Sequence, residues 1–256
     1  AKAQTTRHRI KAILTEKDYQ IIFSDTPGII EPKYKLHEKM MEAVKGSLED
    51  ADVALLITDV RENIEESHAI FSALKLKAPA IVILNKADTV NGEQLKTTAA
   101  FFAAQPYCKE VVSISALKKT GIDELLKSIL TYLPEGQPFY EGDDLSDLPT
   151  KFFVSEIIRE KIFLLYGEEI PYHATVLVQE FKEKVSLTKI SAEIIVQRET
   201  QKGIILGGGG SMIKKLGTDA RKDIETFLGR KVFLELFVKV RPKLRDNEFQ
   251  LKEYGY

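Results

Sequence analysis

The amino-acid sequence predicts an α/β domain with a doubly wound, mostly parallel sheet, followed by a smaller α+β domain. In the first half, short runs of β-branched residues alternate with amphipathic helices, as in βα units whose parallel sheet is covered on both faces. Residues 134–149 (PEGQPFYEGDDLSDLP) are rich in Pro, Gly and Asp, a composition typical of a linker. The 256 residues also exceed the usual size of one domain, about 100–200 residues. We therefore place the first domain at 1–133, the linker at 134–150 and the second domain at 151–256.

Eight elements alternate along the first domain. The strands read as continuous apolar runs and the helices as amphipathic segments. The predicted strands are 19–24, 53–59, 80–85 and 110–115, and the predicted helices are 35–48, 65–76, 92–104 and 122–133.

The second domain has a different order of elements, α-β-β-α-α-β. Helix 151–166 precedes two strands with alternating apolar residues, and a glycine cluster separates the two later helices. The remaining predicted elements are strands 172–181 and 187–198, helices 202–206 and 211–227, and strand 232–240. This order has too few crossovers for a second doubly wound sheet, so we expect an antiparallel or mixed three-stranded sheet.

The net charge of −1 is a cancellation between the two halves. Residues 1–150 carry 18 basic and 23 acidic side chains, whereas residues 151–256 carry 19 and 15. The basic second half favours contact with nucleic acid or a membrane surface. A single cysteine, Cys108, excludes an internal disulfide and fits a reducing compartment. The apolar runs are all too short to span a bilayer, which takes about 20 residues.

The first candidate ligand site is Asp25-Thr26-Pro27-Gly28, directly after strand 19–24. An Asp at the carboxyl end of a parallel strand lies at the ligand edge of the sheet, where it can hold a Mg²⁺-bound water. The N–H of Gly28 can approach a γ-phosphate closely because no Cβ intervenes. Taken alone, the tetrapeptide is better explained as an ordinary turn.

A second motif, Asn-Lys-Ala-Asp, follows strand 80–85 and points to guanine. The carboxylate of Asp88 can accept N–H bonds from guanine N1 and its exocyclic amine, while the alkyl stem of Lys86 can cover the base. Asn85 can tie neighbouring loops together, and the backbone N–H groups near Ser115 and Ala116 can meet the guanine oxygen. Three sites at the ends of parallel strands predict one pocket that binds GTP and GDP.

These motifs resemble the third, fourth and fifth motifs of the P-loop GTPases, and QTTRHR at residues 4–9 resembles switch I of the Era group. The resemblance implies a Ras-like fold, GTP hydrolysis and a Mg²⁺ site that includes Asp25 and either Thr5 or Thr6. It implies no certain catalytic residue beyond these switch residues and Gly28. The nucleotide-binding residues that it implies are Asp25, Thr26, Pro27, Gly28, Ile29, Asn85, Lys86, Asp88, Ser115 and Ala116.

The sequence departs from the family pattern in two places. Ile29 stands where Ras-like proteins have the Gln that orients the attacking water, so we expect slow intrinsic hydrolysis. The phosphate-loop pattern G-x-x-x-x-G-K-[ST] does not occur in the 256 residues. We therefore expect these residues to begin about 35–40 positions into the family's GTPase domain and, on their own, to bind nucleotide weakly or not at all. Micromolar or tighter GDP affinity measured on them by calorimetry would contradict this expectation.

The four glycines at 207–210 fit the pattern I-x-G-x-x-G-x-x-I of the K-homology (KH) domain, and the element order resembles its type II fold. Such a loop clamps about four nucleotides of single-stranded RNA. A flexible linker is the plainer alternative, but apolar residues flank the glycines on both sides. The implied RNA-binding residues are Gly207, Gly208, Gly209, Gly210, Lys202, Lys214 and Lys215. Further basic candidates are Arg221 and Lys222 for the groove, and Lys239, Arg241, Lys243 and Arg245 for a tail.

The combination of motifs resembles the Era family over essentially the whole chain, including FFVSEIIREKI at 152–162 and FVKV at 237–240. This implies a monomer that binds small-subunit ribosomal RNA near its 3′ end and acts in 30S subunit assembly. It also implies a bacterial cytoplasmic protein with peripheral association to the inner membrane. One alternative is a KH-type RNA-binding module with a nucleotide-free, GTPase-like scaffold. A metabolic α/β enzyme is disfavoured because no catalytic His, Cys or carboxylate pair stands out.

Overall fold

The structure is a computed structural model that describes residues 6–142, 144–242 and 246–248. It divides into two compact units: Ala1–Met41 together with Gly142–Tyr256, and Glu42–Glu141. This division into compact units does not test the predicted domain limits at residues 133 and 150, which stay a prediction.

The first unit begins with a β-hairpin. Strand β1 (Ile10–Thr15) pairs antiparallel with β2 (Gln20–Asp25), so that Ile10 lies opposite Asp25. The turn is closed by the N–H of Glu16, which donates to the carbonyl of Tyr19 at 2.9 Å. Strand β1 was not predicted, and among the described residues β2 pairs with β1 alone, not within a parallel sheet as we expected. The polar residues Glu16, Lys17 and Asp18 form the short turn between the two strands. Helix α1 (Lys35–Asp50) follows, and the boundary between the units falls inside it.

The second unit contains the parallel sheet. Strands β3 (Ala54–Asp59), β4 (Ala80–Asn85) and β5 (Cys108–Ser113) pair in the order β3-β4-β5. They alternate with the helices α2 (Ile64–Ser72), α3 (Gly92–Ala103) and α4 (Ile122–Tyr132). The central strand is fully buried from Ala80 to Leu84, as expected for a strand covered on both faces. Asp59 is in register with Asn85, and Leu84 with Ser113, so the carboxyl ends of all three strands meet at one edge.

The remainder of the first unit has the predicted order of elements, with one additional short helix. These elements are α5 (Thr150–Leu165), α6 (Ile170–His173), β6 (Thr175–Glu183), β7 (Thr188–Val196), α7 (Glu199–Leu206), α8 (Ser211–Leu228) and β8 (Val232–Val240). Strand β7 pairs antiparallel with β6 and parallel with β8, so the sheet is mixed, one of the two predicted forms. One core joins this sheet to the helices, and α8 contributes Leu216, Ala220 and Ile224 from successive turns of one face.

Part of the predicted linker is attached to the hairpin. The carbonyl of Leu145 accepts a hydrogen bond from the N–H of Ile13 at 2.9 Å, and the hydroxyl of Ser146 donates to the carbonyl of Lys11. The ammonium of Lys11 also lies 3.1 Å from the carboxylate of Asp147. Residues 145–147 of the predicted linker therefore lie beside β1 and are held there by these contacts.

We expect Tyr166→Phe to lower the free energy of unfolding by about 1 kcal/mol at neutral pH. Tyr166 is 5% exposed, and its hydroxyl donates to the carbonyl of Ile205 in the last turn of α7, at 2.9 Å. Burial raises the pKa of Tyr166 to about 12, so the folded state resists ionisation. The stabilisation from the neutral phenol is complete below the ordinary pKa of about 10 and is lost as the pH rises towards 12.

Chemical denaturation at pH 8, 10 and 11 measures this effect. The wild type should lose more stability than the phenylalanine variant over that range. Parallel losses in the two proteins would contradict the assignment.

No helix in the described ranges combines the length and the apolar content that crossing a bilayer requires.

Candidate functional site

The loops after β4 and β5 are joined by one side chain. The amide oxygen of Asn85 accepts from the N–H of Lys86 at 2.8 Å and from the N–H of Ala116 at 3.1 Å. The backbone reinforces this link, because the N–H of Ala87 donates to the carbonyl of Ile114 at 3.0 Å. The structure therefore confirms that Asn85 ties the two loops together, as the sequence predicted. Lys86, the first residue after β4, has a left-handed backbone conformation with φ of 63°, which is uncommon for a residue other than glycine.

Asp88 is held as an ionised hydrogen-bond acceptor beside these loops. Hydrogen bonds from the hydroxyl of Ser115 and the ammonium of Lys118 hold the pKa of the Asp88 carboxyl below its usual range. The Lys118 nitrogen lies 3.2 Å from the carboxylate, whose side chain remains 18% exposed. A carboxylate that only accepts hydrogen bonds suits the two adjacent donors on the edge of guanine.

The side chain of Lys86 is anchored by Asp59, at the end of β3. The Lys86 ammonium donates to Asp59 Oδ2 at 2.7 Å. Arg61 donates two hydrogen bonds to the same carboxylate, from its Nε at 2.9 Å and from its Nη2 at 2.6 Å. These bonds from Arg61 and Lys86 hold the pKa of Asp59 well below its usual range. The sequence analysis missed Asp59, although its position at the end of a parallel strand next to Asn85 was a signal for it.

We expect Asp59→Asn to weaken GDP binding about tenfold, which corresponds to about 1.4 kcal/mol. The amide keeps the size of the side chain but removes the anion that fixes the Lys86 ammonium, so the lysine stem is no longer held in one position. Isothermal calorimetry on the complete gene product measures the affinity. Glu62→Gln is the matched control, since Glu62 is an exposed acid next to Arg61. Equal affinity in the two variants would contradict the role given to Asp59.

The Asp25 motif lies in the other compact unit. The hydroxyl of Thr6 donates to Asp25 Oδ2 at 3.0 Å, which places a hydroxyl and a carboxylate oxygen side by side. Hard cations such as Mg²⁺ prefer oxygen ligands of this kind. Thr5, the alternative ligand, lies outside the described residues.

The four residues after Asp25 follow β2 in a segment without regular secondary structure. Within it, Pro27 is buried and Thr26 is half-buried, while no heavy atom lies within 4 Å of a Cβ added at Gly28. Ile29 is 38% exposed, and its side chain has no polar atom. The predicted convergence of this motif with Asn85 and Asp88 on one nucleotide remains a prediction.

The glycine cluster forms a tight turn between α7 and α8. Gly207, Gly209 and Gly210 have φ of 69°, 58° and 78°, the left-handed region that favours glycine. A Cβ added at Gly207 would lie 2.6 Å from the Met212 side chain, whereas Gly208 and Gly209 have open space around them. The two middle glycines are therefore the exposed part of a conformationally fixed loop.

The predicted basic residues divide into two groups around this loop. Lys214 and Lys215 are exposed in the first turns of α8, and Lys202 is half-buried five residues before Gly207. Arg221 and Lys222 lie about 15 Å further along α8 than Ser211, well away from the loop.

The predicted basic tail comprises Lys239, Arg241, Lys243 and Arg245. Lys239 is engaged in an ion pair with Glu193, and Arg241 is exposed. Lys243 and Arg245 lie outside the described residues. Ile204, three residues before Gly207, is 53% exposed and adds an apolar surface that the sequence analysis treated only as a flanking residue.

Two protein-family models match separate parts of the chain. One is described as a 50S ribosome-binding GTPase and matches residues 1–86. The other is described as a KH domain and matches residues 169–244.

Similar proteins extend over the whole chain. The GTPase Era of Caldanaerobacter subterraneus subsp. tengcongensis is 42% identical over 259 residues, which cover 100% of this chain and 87% of that protein. The chain belongs to the Era family of GTPases. The GTPase Era of Geotalea uraniireducens is 41% identical, with the same coverage of both chains. The predicted family is thus confirmed, and so is the assignment of a GTPase followed by a KH domain.

Solved structures of the family agree with this fold. A crystal structure of Era in complex with MgGDPNP and nucleotides 1506–1542 of 16S ribosomal RNA has a TM-score of 0.94 and 40% identity. A crystal structure of a single-residue variant of Aquifex aeolicus Era bound to GDP.AlF4⁻ gives the same two values. Each match covers 100% of this chain and 88% of the solved chain. The predicted fold class is therefore confirmed.

Proposed function

We propose that the protein is a GTP-hydrolysing switch that binds small-subunit ribosomal RNA and acts in assembly of the 30S subunit. The observation that carries the proposal is the pair of loops joined by Asn85, with the ionised acceptor Asp88 beside it. This arrangement supports guanine over adenine, because adenine lacks the two adjacent donors that a carboxylate accepts.

For the phosphate side of the nucleotide we propose a Mg²⁺ site formed by Thr6 and Asp25, with Thr5 as the alternative to Thr6. The paired oxygens of Thr6 and Asp25 support this choice. When bound, Mg²⁺ supplies positive charge that offsets the charge on the phosphates. Gly28 provides a backbone N–H that can approach the γ-phosphate, because no Cβ intervenes. Ile29 has no group that can orient water, so intrinsic hydrolysis is slow and a backbone group, a cation or a partner positions the water.

For the RNA we propose that the glycine loop clamps a single-stranded segment near the 3′ end of the small-subunit RNA. Glycines 207–210 allow the sugar-phosphate backbone to approach closely, and the N–H groups at the start of α8 face the same anions. Lys202, Lys214 and Lys215 add contacts to phosphates. The solved relative bound to 16S ribosomal RNA supports this choice of RNA.

The remaining parts of the proposal concern organisation and location. The GTPase domain occupies 1–133, the linker 134–150 and the KH domain 151–256. The protein acts as a monomer in the bacterial cytoplasm and associates peripherally with the inner membrane. The excess of basic residues in 151–256 supports contact with anionic RNA or an anionic membrane surface.

The test uses the complete gene product and an RNA corresponding to nucleotides 1506–1542 of 16S ribosomal RNA. GTP hydrolysis is measured with and without this RNA, and RNA affinity is measured with GDP and with GDPNP at two salt concentrations. We expect slow hydrolysis, tighter RNA binding with GDPNP, and a steep loss of RNA affinity at high salt. RNA binding without nucleotide binding would favour the alternative of a nucleotide-free RNA-binding module. Absence of both activities would overturn the proposal.

A further inference from the structure

Arg7 is a buried cation directly after the candidate Mg²⁺ ligand Thr6. Its side chain is 2% exposed although it belongs to a segment rich in polar residues. The guanidinium donates from Nη1 to the carbonyl of Ala174 at 3.0 Å, and from Nη2 to the carbonyls of Tyr172 at 2.8 Å and Pro171 at 3.2 Å. Nη1 also lies 3.5 Å from the hydroxyl of Thr175. Arg7, which belongs to the segment that resembles switch I (residues 4–9), thus binds α6 and the start of β6, more than 160 positions away in sequence.

Through the Arg7 contacts, the position of the backbone next to Thr6 and the position of α6 depend on each other. Within the described ranges no carboxylate lies within 4.0 Å of the Arg7 nitrogens, so carbonyl dipoles offset its charge. A displacement of either partner would break several charge-assisted hydrogen bonds together and leave a buried charge without acceptors. The fork geometry of a guanidinium is also specific, because a single ammonium cannot reach acceptors on both sides.

Helix α6 is in turn connected to α7 by a buried amide. Glu169 precedes α6, and its Oε1 accepts from Nε2 of Gln201 at 3.1 Å. Gln201 is 1% exposed, and its own oxygen accepts from the N–H groups of Gln197 and Arg198 at 3.0 and 3.1 Å. Gln201 therefore fixes the start of α7 relative to the start of α6.

Helix α7 ends at the glycine loop. The N–H of Gly207 donates to the carbonyl of Gly203 at 2.9 Å, so the loop begins as a continuation of the helix. A rotation or shift at the start of α7 is therefore transmitted to Gly207 along a rigid element. Hydrogen bonds and helix backbone form one continuous path from Thr6 through Arg7, Glu169 and Gln201 to the glycine loop.

We infer that Arg7 is a positioning residue that couples the nucleotide-dependent position of Thr6 to the RNA-binding glycine loop, through α6, Gln201 and α7. The inference rests on the proposed function and adds the route of coupling. In this arrangement the signal passes through a direct buried contact and needs no motion of residues 134–149. Because coupling between two ligands is reciprocal, RNA binding at the loop changes nucleotide affinity by the same factor.

The test measures coupling as the ratio of RNA dissociation constants with GDP and with GDPNP, using the complete gene product and the 1506–1542 RNA. We expect a wild-type ratio of about ten and a ratio of less than about three for Arg7→Lys, which retains the charge but loses the fork. RNA affinity with GDP should change less than about twofold in that variant, because Arg7 does not touch the RNA loop. Hydrogen exchange at residues 203–207 should respond to GDPNP in the wild type and fail to respond in Arg7→Lys.

Two further variants decide the result. Arg9→Lys is the matched control and should keep the wild-type ratio, since Arg9 lies directly before β1 and donates to the hydroxyl of Ser24 in β2 at 2.8 Å. Gln201→Met interrupts the same path without contact to Thr6 and should also reduce the ratio, so it decides the matter if Arg7→Lys does not fold. A wild-type ratio retained in both Arg7→Lys and Gln201→Met, or lost equally in Arg9→Lys, would overturn the inference while leaving the proposed function intact. A wild type that binds neither ligand would instead overturn the proposed function.

Discussion

Replacing Asp88 by asparagine is expected to weaken GDP binding at least about a hundredfold and to create affinity for xanthosine diphosphate. In the proposed complex, the Asp88 carboxylate accepts hydrogen bonds from guanine N1–H and from the exocyclic N–H. An asparagine amide accepts one hydrogen bond but directs its own N–H at the other donor. Two hydrogen bonds to a charged group are worth about 1.5–3 kcal/mol each, which accounts for the size of the loss. Xanthine has a carbonyl in place of the exocyclic amine, and therefore matches the donor and acceptor of asparagine.

The experiment measures the affinities of the complete gene product for GDP and XDP by calorimetry. Asp123→Asn is the matched control, because Asp123 is an exposed acid in the first turn of α4. The decisive result is the exchange of preference, since loss of GDP binding alone would also follow from local unfolding. An asparagine variant that keeps its GDP affinity would show that Asp88 does not contact the base.

The sequence predicts the limits of two strands as observed. Strand β4 is predicted at its observed limits because every residue from Ala80 to Leu84 is buried. Strand β8 likewise has its predicted limits, 232–240. Strand β1 was missed because its short run of mixed residues is stabilised by pairing with β2, and pairing is not a property of either segment alone.

The same distinction applies to the site residues. Asn85 and Asp88 could be assigned because their roles depend on neighbours in one short motif and on the strand that carries it. Asp59 acts across the sheet on Lys86, and Arg7 acts on carbonyls more than 160 positions away. No local pattern encodes such partners, because the fold alone brings them together. Residues that position a motif are therefore harder to read from sequence than the motif itself.

We expect Gly208→Asp to reduce affinity for the 1506–1542 RNA about a hundredfold, or by about 2.7 kcal/mol, without loss of the fold. The new carboxylate would occupy the position where we propose that the loop approaches a phosphate, adding both bulk and like-charge repulsion. Stability should be retained, because a Cβ at Gly208 meets no heavy atom within 4 Å and the backbone there lies outside the left-handed region. An acid close to the start of α8 is also electrostatically favourable to the helix.

Two companion variants separate the causes of this effect. Gly208→Asn has nearly the same bulk without the charge, so the difference between the two variants measures repulsion from phosphate and should shrink at high salt. Gly207→Ala places a Cβ 2.6 Å from Met212 at a φ of 69°, and should destabilise the fold by about 2 kcal/mol. Denaturation curves should thus show a loss of stability in Gly207→Ala but not in Gly208→Asp. RNA titrations should show the loss of affinity in Gly208→Asp. RNA affinity unchanged in Gly208→Asp would show that the RNA does not approach this loop.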